Sequence, residues 1–204
     1  MTHAAPMPYD VMGSPADREP GTGVYSEKVA MWVFLGSEVM FFTALIGTYI
    51  ILRVAHPEAW AEPGKVLNVP ITAINTFLLI CSSVTMVKAF AAAQDDHQRG
   101  IRLWLVATVL IGATFVGVQV FEYAQLIGHG FVPGEGLYGS TFYTMTGFHG
   151  FHVTMGVICM AFVTWKAFRG KYSASDHRGI EVIGLYWHFV DLVWIILFTI
   201  VYLI

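Results

Sequence analysis

The run Tyr186-Trp187-His188-Phe189-Val190-Asp191-Leu192-Val193-Trp194 sets an imidazole and a carboxylate three residues apart, inside an apolar stretch from Gly179 to Ile204. That spacing puts His188 and Asp191 on one side of a helix. The stretch is long enough to cross a bilayer, where a charge costs at least about 2.5 kcal/mol, so both side chains should face protein. Glu38, His149 and His152 stand in two further apolar stretches and raise the same question. Carboxylates and imidazoles sharing a membrane interior can pair or relay protons. Imidazoles can also ligate a metal or a haem iron.

Five apolar windows must position these groups: residues 29–53, 69–92, 101–127, 140–167 and 181–204, each long enough to span. Between them lie Pro57, Pro63 and Pro70, then Asp95-Asp96-His97, then Gly128 to Gly136 with Pro133, and Arg169-Gly170-Lys171. The reading is an all-α polytopic membrane protein, a bundle of five transmembrane helices. It forms a single membrane domain over 29–204, preceded by a polar tail over 1–28. The tail lacks the basic and short apolar regions of a cleaved signal peptide, and is expected to be mobile and cytoplasmic.

Composition agrees. The 204 residues are 56% hydrophobic and 12% charged, with a mean hydropathy of +0.62 and a net charge of -3. A soluble domain carries about twice that charged fraction. No basic patch occurs outside the loops, so nucleic-acid binding is not expected. Cys81 and Cys159 fall in mid-helix among apolar neighbours and read as buried, inert thiols.

Orientation follows from the eleven Lys and Arg residues. Arg18, Lys28, Lys88, Arg99, Arg102, Lys166, Arg169, Lys171 and Arg178 share the side of the tail, while only Arg53 and Lys65 lie opposite. The N-terminus is therefore expected inside and the C-terminus outside. Trp32, Trp104, Trp165 and Tyr172 fall near the inner boundaries, where amphipathic rings sit.

Each helix carries a narrow polar or small-residue stripe: Gly36, Thr43 and Gly47 with Ser37 and Glu38; Thr72, Asn75 and Ser82; Thr108, Gly112, Gln119 and Glu122; His149, His152 and Gly156; Glu181, Gly184, His188 and Asp191. Lipid supplies no hydrophobic drive between helices, so such stripes serve packing and interhelical hydrogen bonds. By rise per residue Glu38 and His188 lie about 14 Å deep, Asp191 about 18 Å and His152 about 21 Å. With helix boundaries set only to within a turn, these depths place two carboxylates and two or three imidazoles in one slab of the membrane and do not choose the partners uniquely. Asp191 is expected to join His149 or His188. Glu122 counts for less, because it falls near the outer interface.

The residues alone leave several functions open. His149 and His188 could be axial ligands of an electron-carrying haem b, though nothing else signals room for the macrocycle. A proton transporter could use the carboxylates and histidines, but no repeat or broken helix supports a secondary transporter. A metal site at His149 and His152 lacks a third and fourth ligand.

Three motifs add a resemblance. Trp32-Val33-Phe34-Leu35-Gly36-Ser37-Glu38-Val39-Met40-Phe41-Phe42 is one, and Tyr138-Gly139-Ser140-Thr141-Phe142-Tyr143 with Thr146-Gly147-Phe148-His149-Gly150-Phe151-His152-Val153 is the second. Glu181 with the run from Tyr186 to Trp194 is the third. In this order they resemble subunit III of the haem-copper terminal oxidases, in its shorter five-helix bacterial form. The resemblance implies a chain without haem or copper of its own, those cofactors residing in partner subunits, and, together with the overlapping depths, it implies that Glu38 pairs with His152. It implies a bacterial plasma-membrane location, packing on subunit I with subunits II and IV nearby, bound phospholipids, and support of proton uptake and durability in a proton-pumping oxygen reductase. The longer form has two additional helices that make one arm of a lipid-holding cleft. Quinol oxidases and nitric oxide reductase-associated homologues are the alternatives, although Ser37-Glu38-Val39-Met40 and Tyr138-Gly139-Ser140-Thr141 look closer to cytochrome c oxidase members. Lys166, Arg169, Lys171, His177 and Arg178 crowd the inner end of helices four and five and are candidate phospholipid headgroup ligands. His3, Asp10, His97, Asp176 and His177 could gather protons on the same side.

Overall fold

A computed structural model describes residues 25–60, 67–134 and 136–203. Five long helices carry the chain: α1 (Ser26–Ala55), α2 (Val69–Gln94), α3 (Gln98–Gly128), α4 (Gly136–Phe168) and α5 (Arg178–Phe198), the last continued by a wider π-helical turn, Thr199–Leu203. All five are long and apolar enough to cross a membrane. Among the described residues there is no strand, only an isolated bridge between Ser173 and Asp176 in the α4–α5 loop.

Local chemistry explains the ends. Asn68 caps α2 by accepting from the Ile71 amide, and Pro70 occupies the first turn, where its missing donor is harmless. The chain turns between α2 and α3 at Asp96, whose φ of 53° is a conformation Asp tolerates better than most side chains. Gly170, at φ 66°, ends the turn after α4.

Helices α2, α3, α4 and α5 close into a four-helix ring, each packed on the next and α5 returning to α2. Helix α1 lies outside this ring against α5 and α4, and buries only Phe42 and Tyr49 fully. In its most apolar window 6% of residues are buried, against 50% for α5, so α1 is an attached helix and α5 the central one.

Small residues let aromatic side chains into the ring. Trp187 of α5 lies 1% exposed between Gly112 of α3 and Gly156 of α4. A Cβ at Gly112 would stand 2.7 Å from the Trp187 ring edge, and one at Gly156 would stand 3.1 Å from the opposite edge. The Trp187 indole N–H donates to Ser82 Oγ and that of Trp194 to Thr76 Oγ1, both at 2.9 Å. Large apolar side chains on every helix point outward, among them Met40, Ile74, Leu110, Phe151 and Leu192.

Two expectations fail here. The Gly36 and Gly47 stripe of α1 does not pack inside the bundle: a Cβ at either would meet nothing within 4 Å. Cys159 is exposed and Cys81 only partly covered, so neither is a buried core thiol. Both errors have one cause. In a membrane, an apolar context marks the lipid-facing surface as readily as the core.

Candidate functional site in the polar core

The five residues singled out by type do not form one cluster. They divide between the two sides of α4 and α5, with His149 between them.

On the α1 side, Glu38 Oε2 lies 3.1 Å from His152 Nε2, across 114 residues of sequence. The other ring nitrogen, Nδ1, lies 2.7 Å from the Phe148 carbonyl one turn back. A carbonyl can only accept, so Nδ1 carries a hydrogen. One proton then lies between Glu38 and His152, making either an ion pair or a neutral acid donating to a neutral imidazole. Phe41, Phe42 and Phe151 surround the imidazole, and the Tyr186 hydroxyl donates to the His152 carbonyl at 2.9 Å.

On the α2 side, Ser83 joins the terminal pair. Its hydroxyl lies 2.5 Å from Asp191 Oδ2 and 3.2 Å from His188 Nδ1. Asp191 therefore reaches His188 through a serine and does not reach His149. Its second oxygen, Oδ1, is buried with no hydrogen-bond partner among the described residues.

His149 is fully buried, stacked on Trp194 at 4.8 Å between ring centroids and flanked by Phe42 and Phe115. Neither ring nitrogen has a hydrogen-bond partner among the described residues. Enclosed by aromatic rings, it cannot face His188 across a macrocycle, which argues against the haem b arrangement. Among the described residues, no three His, Cys, Asp or Glu side chains converge as metal ligands.

Two polar sites were missed. Glu122 is buried rather than open to the outer interface, accepting from Thr72 Oγ1 at 2.9 Å and from the Tyr202 hydroxyl, 3.3 Å from both carboxylate oxygens. The π-helical turn carries Tyr202, and its Ile200 carbonyl accepts from Arg53 of α1 at 3.4 Å. Glu122 shares a stripe with Gly112 and Gln119, and that periodicity was a better guide than its distance from the helix end. The second site fastens α1 at the basic end, where Lys28 and Tyr25 both bond the Glu181 carboxylate. Burial, with the hydrogen bond to Glu181 and its charge, raises the Tyr25 phenol above its ordinary range. In the α4–α5 loop, burial and then the nearby Asp176 raise Tyr172 likewise.

Of the headgroup candidates, Arg169 lies over the Trp165 ring at 3.9 Å and Lys166 over Phe162 at 4.8 Å. Arg178 bonds Asp176 at 3.2 Å, while His177 Nδ1 lies 3.0 Å from the Ala174 carbonyl. Lys171 is exposed. Arg18, Lys65, His3 and Asp10 lie outside the described residues.

Five spanning helices, held together by buried hydrogen bonds between small residues, aromatics and paired carboxylates, define a multi-pass helical membrane subunit. A family model described as Cytochrome c oxidase subunit III matches residues 23–204. The chain is 40% identical over 176 residues to a cytochrome c oxidase subunit 3 of Thermostichus vulcanus, covering 86% of each chain. It is 40% identical over 172 residues to a probable cytochrome c oxidase subunit 3 of Mycobacterium tuberculosis, covering 84% of this chain and 85% of the other. Identity to the cytochrome c oxidase subunit 3 of Corynebacterium diphtheriae is 38% over 174 residues, with the same two shares. The chain belongs to the cytochrome c oxidase subunit III family, and so is a membrane-embedded subunit of a haem-copper oxidase complex.

Proposed function

We propose that this chain is the non-catalytic subunit III of a proton-pumping oxygen reductase of the cytochrome c type. In this reading it sits in a bacterial plasma membrane with its basic end in the cytoplasm. It packs on subunit I, with subunits II and IV nearby, and haem and copper are held by those partners. The observation carrying this role is how the buried ionisable groups are committed. Glu38 meets His152, Glu122 meets Thr72 and Tyr202, and Asp191 meets Ser83, each on a different helix pair. These contacts hold helices together.

The role predicts endurance rather than turnover as the property at stake. A complex lacking this chain, or carrying Glu38→Gln, is expected to keep most of its initial oxygen-reduction rate while inactivating faster over successive cycles and taking up protons more slowly. Initial rate and inactivation half-life, measured at matched haem and copper content, check this. Immediate and complete loss of oxygen reduction in an intact, fully metallated complex would contradict it. The donor is tested in the same preparation by comparing oxidation of reduced cytochrome c with that of a quinol.

Phospholipid binding belongs to the same reading. A groove of about 740 Å³ opens at the basic end between α4 and α5, with apolar walls from Ile158, Phe162 and Val163 and with Lys166 and Arg178 at its rim. Juxtamembrane cations attract anionic headgroups by about 1 kcal/mol each. Lys166→Gln with Arg178→Gln should lower the phospholipid retained per complex in mild detergent, as read by lipid mass spectrometry. Unchanged lipid content would remove these residues from the headgroup site.

A further inference from the structure

We propose that His188, Ser83 and Asp191 form a proton relay that loads the buried carboxyl of Asp191 from the basic end of the membrane. The proposal rests on three features and stands independently of the role in endurance proposed above.

The first feature is connectivity. Ser83 Oγ touches both Asp191 Oδ2 and His188 Nδ1, at 2.5 and 3.2 Å. A hydroxyl donates one hydrogen and also accepts, so this bridge can run in either direction. With Asp191 ionised, His188 Nδ1–H donates to Ser83, and Ser83 donates to Oδ2. With Asp191 protonated on Oδ2, the carboxyl donates to Ser83, and Ser83 donates to a bare His188 Nδ1.

The second feature is the orphaned oxygen. Asp191 is 6% exposed, and its Oδ1 has no hydrogen-bond partner among the described residues. A buried acceptor without a donor costs about 1–3 kcal/mol, and more when it is charged. Were Asp191 purely a structural acceptor, a second donor would be expected at Oδ1. A carboxyl that alternates between charged and neutral forms tolerates the gap, because in the neutral form Oδ1 is only a carbonyl oxygen.

The third feature is an entrance. A groove of about 200 Å³ runs between α2 and α5, with Glu181 and His188 as its polar lining and with Met86, Phe90 and Gly184 among its walls. Glu181 and His188 are two helical turns apart, about 10 Å. A short file of waters can span that distance. At the basic end, the charged and titratable groups beside this groove are Glu181 with its α1 partners Lys28 and Tyr25, and His177, whose ring meets the groove wall Phe90 at 5.5 Å between centroids. On α2 the relay bonds the uncharged Ser83, and the α2 residues lining the groove, Met86, Val87 and Phe90, are uncharged.

The step balances in protons. A proton from water in the groove binds His188 Nε2, and the Nδ1 hydrogen passes to Ser83 Oγ. The hydroxyl's own hydrogen passes to Asp191 Oδ2. One proton has entered, one carboxylate has become an acid, and the imidazole is neutral again with its hydrogen on Nε2. Unloading is the same path reversed.

Infrared spectroscopy of the purified oxidase complex tests this. The wild type should show a carboxylic-acid carbonyl band that Asp191→Asn removes and that shifts on transfer to D2O. Ser83→Ala should keep that band while slowing its shift by about a hundredfold or more, the scale on which a positioned proton-transfer group contributes. Ser83→Thr, which keeps a hydroxyl, should restore the wild-type rate. Assembly is judged by haem content and by retention of this chain. If Asp191→Asn does not assemble, the alanine and threonine variants still decide: one acid band must slow in the first and recover in the second. An unchanged acid-band spectrum in Asp191→Asn, or exchange at the wild-type rate in Ser83→Ala, overturns the proposal.

Discussion

Trp187→Ala is expected to lower the stability of the subunit by about 3–5 kcal/mol, the usual range for emptying a well-packed aromatic site. The indole fills the space between Gly112 and Gly156 and donates to Ser82 Oγ, so truncation opens a cavity and frees a buried hydroxyl. Unfolding in mixed micelles, followed by tryptophan fluorescence or circular dichroism, measures the loss. A partner variant identifies the cause. Gly112→Ala places a methyl 2.7 Å from Trp187 Cη2 and 3.0 Å from Cζ2, and a rigid ring cannot bend away. It should cost about 1–3 kcal/mol alone. Combined with Trp187→Phe, whose ring lacks those atoms, a large part of that cost should vanish, the rest coming from Val157 Cγ2 at 3.0 Å, a coupling that a double-mutant cycle reads directly. Additive losses would show that the glycine matters for some other reason.

The second large effect is expected at Glu122. Thr72→Val with Tyr202→Phe removes the donors seen at its carboxylate while keeping the carboxylate buried. The expected loss is about 2 kcal/mol or more, since a buried acceptor left without its donors costs about 1–3 kcal/mol. Adding Glu122→Leu to that pair should recover much of the loss, because an all-apolar replacement leaves no group unsatisfied. The same unfolding assay compares the double and triple variants. A triple variant less stable than the double would mean that the site is held by shape, not by hydrogen bonds.

Five apolar stretches were plain from the chain alone, because a bilayer demands about 20 apolar residues per crossing and the loops between them hold proline, glycine and charge. The helix ends were less plain. Hydropathy puts the first residues at 29, 101, 140 and 181, whereas α1, α3, α4 and α5 begin at Ser26, Gln98, Gly136 and Arg178. Helices continue through the polar interface, and hydropathy registers only the hydrocarbon.

Overlapping depth and motif resemblance bring Glu38 towards His152, since a carboxylate and an imidazole both stand out in an apolar background. Ser83 left no such trace, because a serine in a membrane helix most often bonds its own backbone, as Ser82 does with the Leu79 carbonyl. At Glu122 a helix end is not a wet one, because the π-helical turn brings Tyr202 over it. For Gly36, Gly47, Cys81 and Cys159 the failure is more general. Apolarity cannot tell inside from outside when the solvent is itself apolar.

The attachment of α1 also has a consequence for how the chain is made. In its most apolar window α1 has a mean hydropathy of 1.9, enough to enter the bilayer by itself. Yet Glu38 finds His152 only 114 residues later. At about 5–20 residues per second, the ribosome needs on the order of ten seconds to deliver that partner. During the interval a carboxyl sits in a nascent helix with no imidazole beside it. This is the stage of biogenesis at which an insertase or a membrane protease has the most time to act on the unfinished subunit.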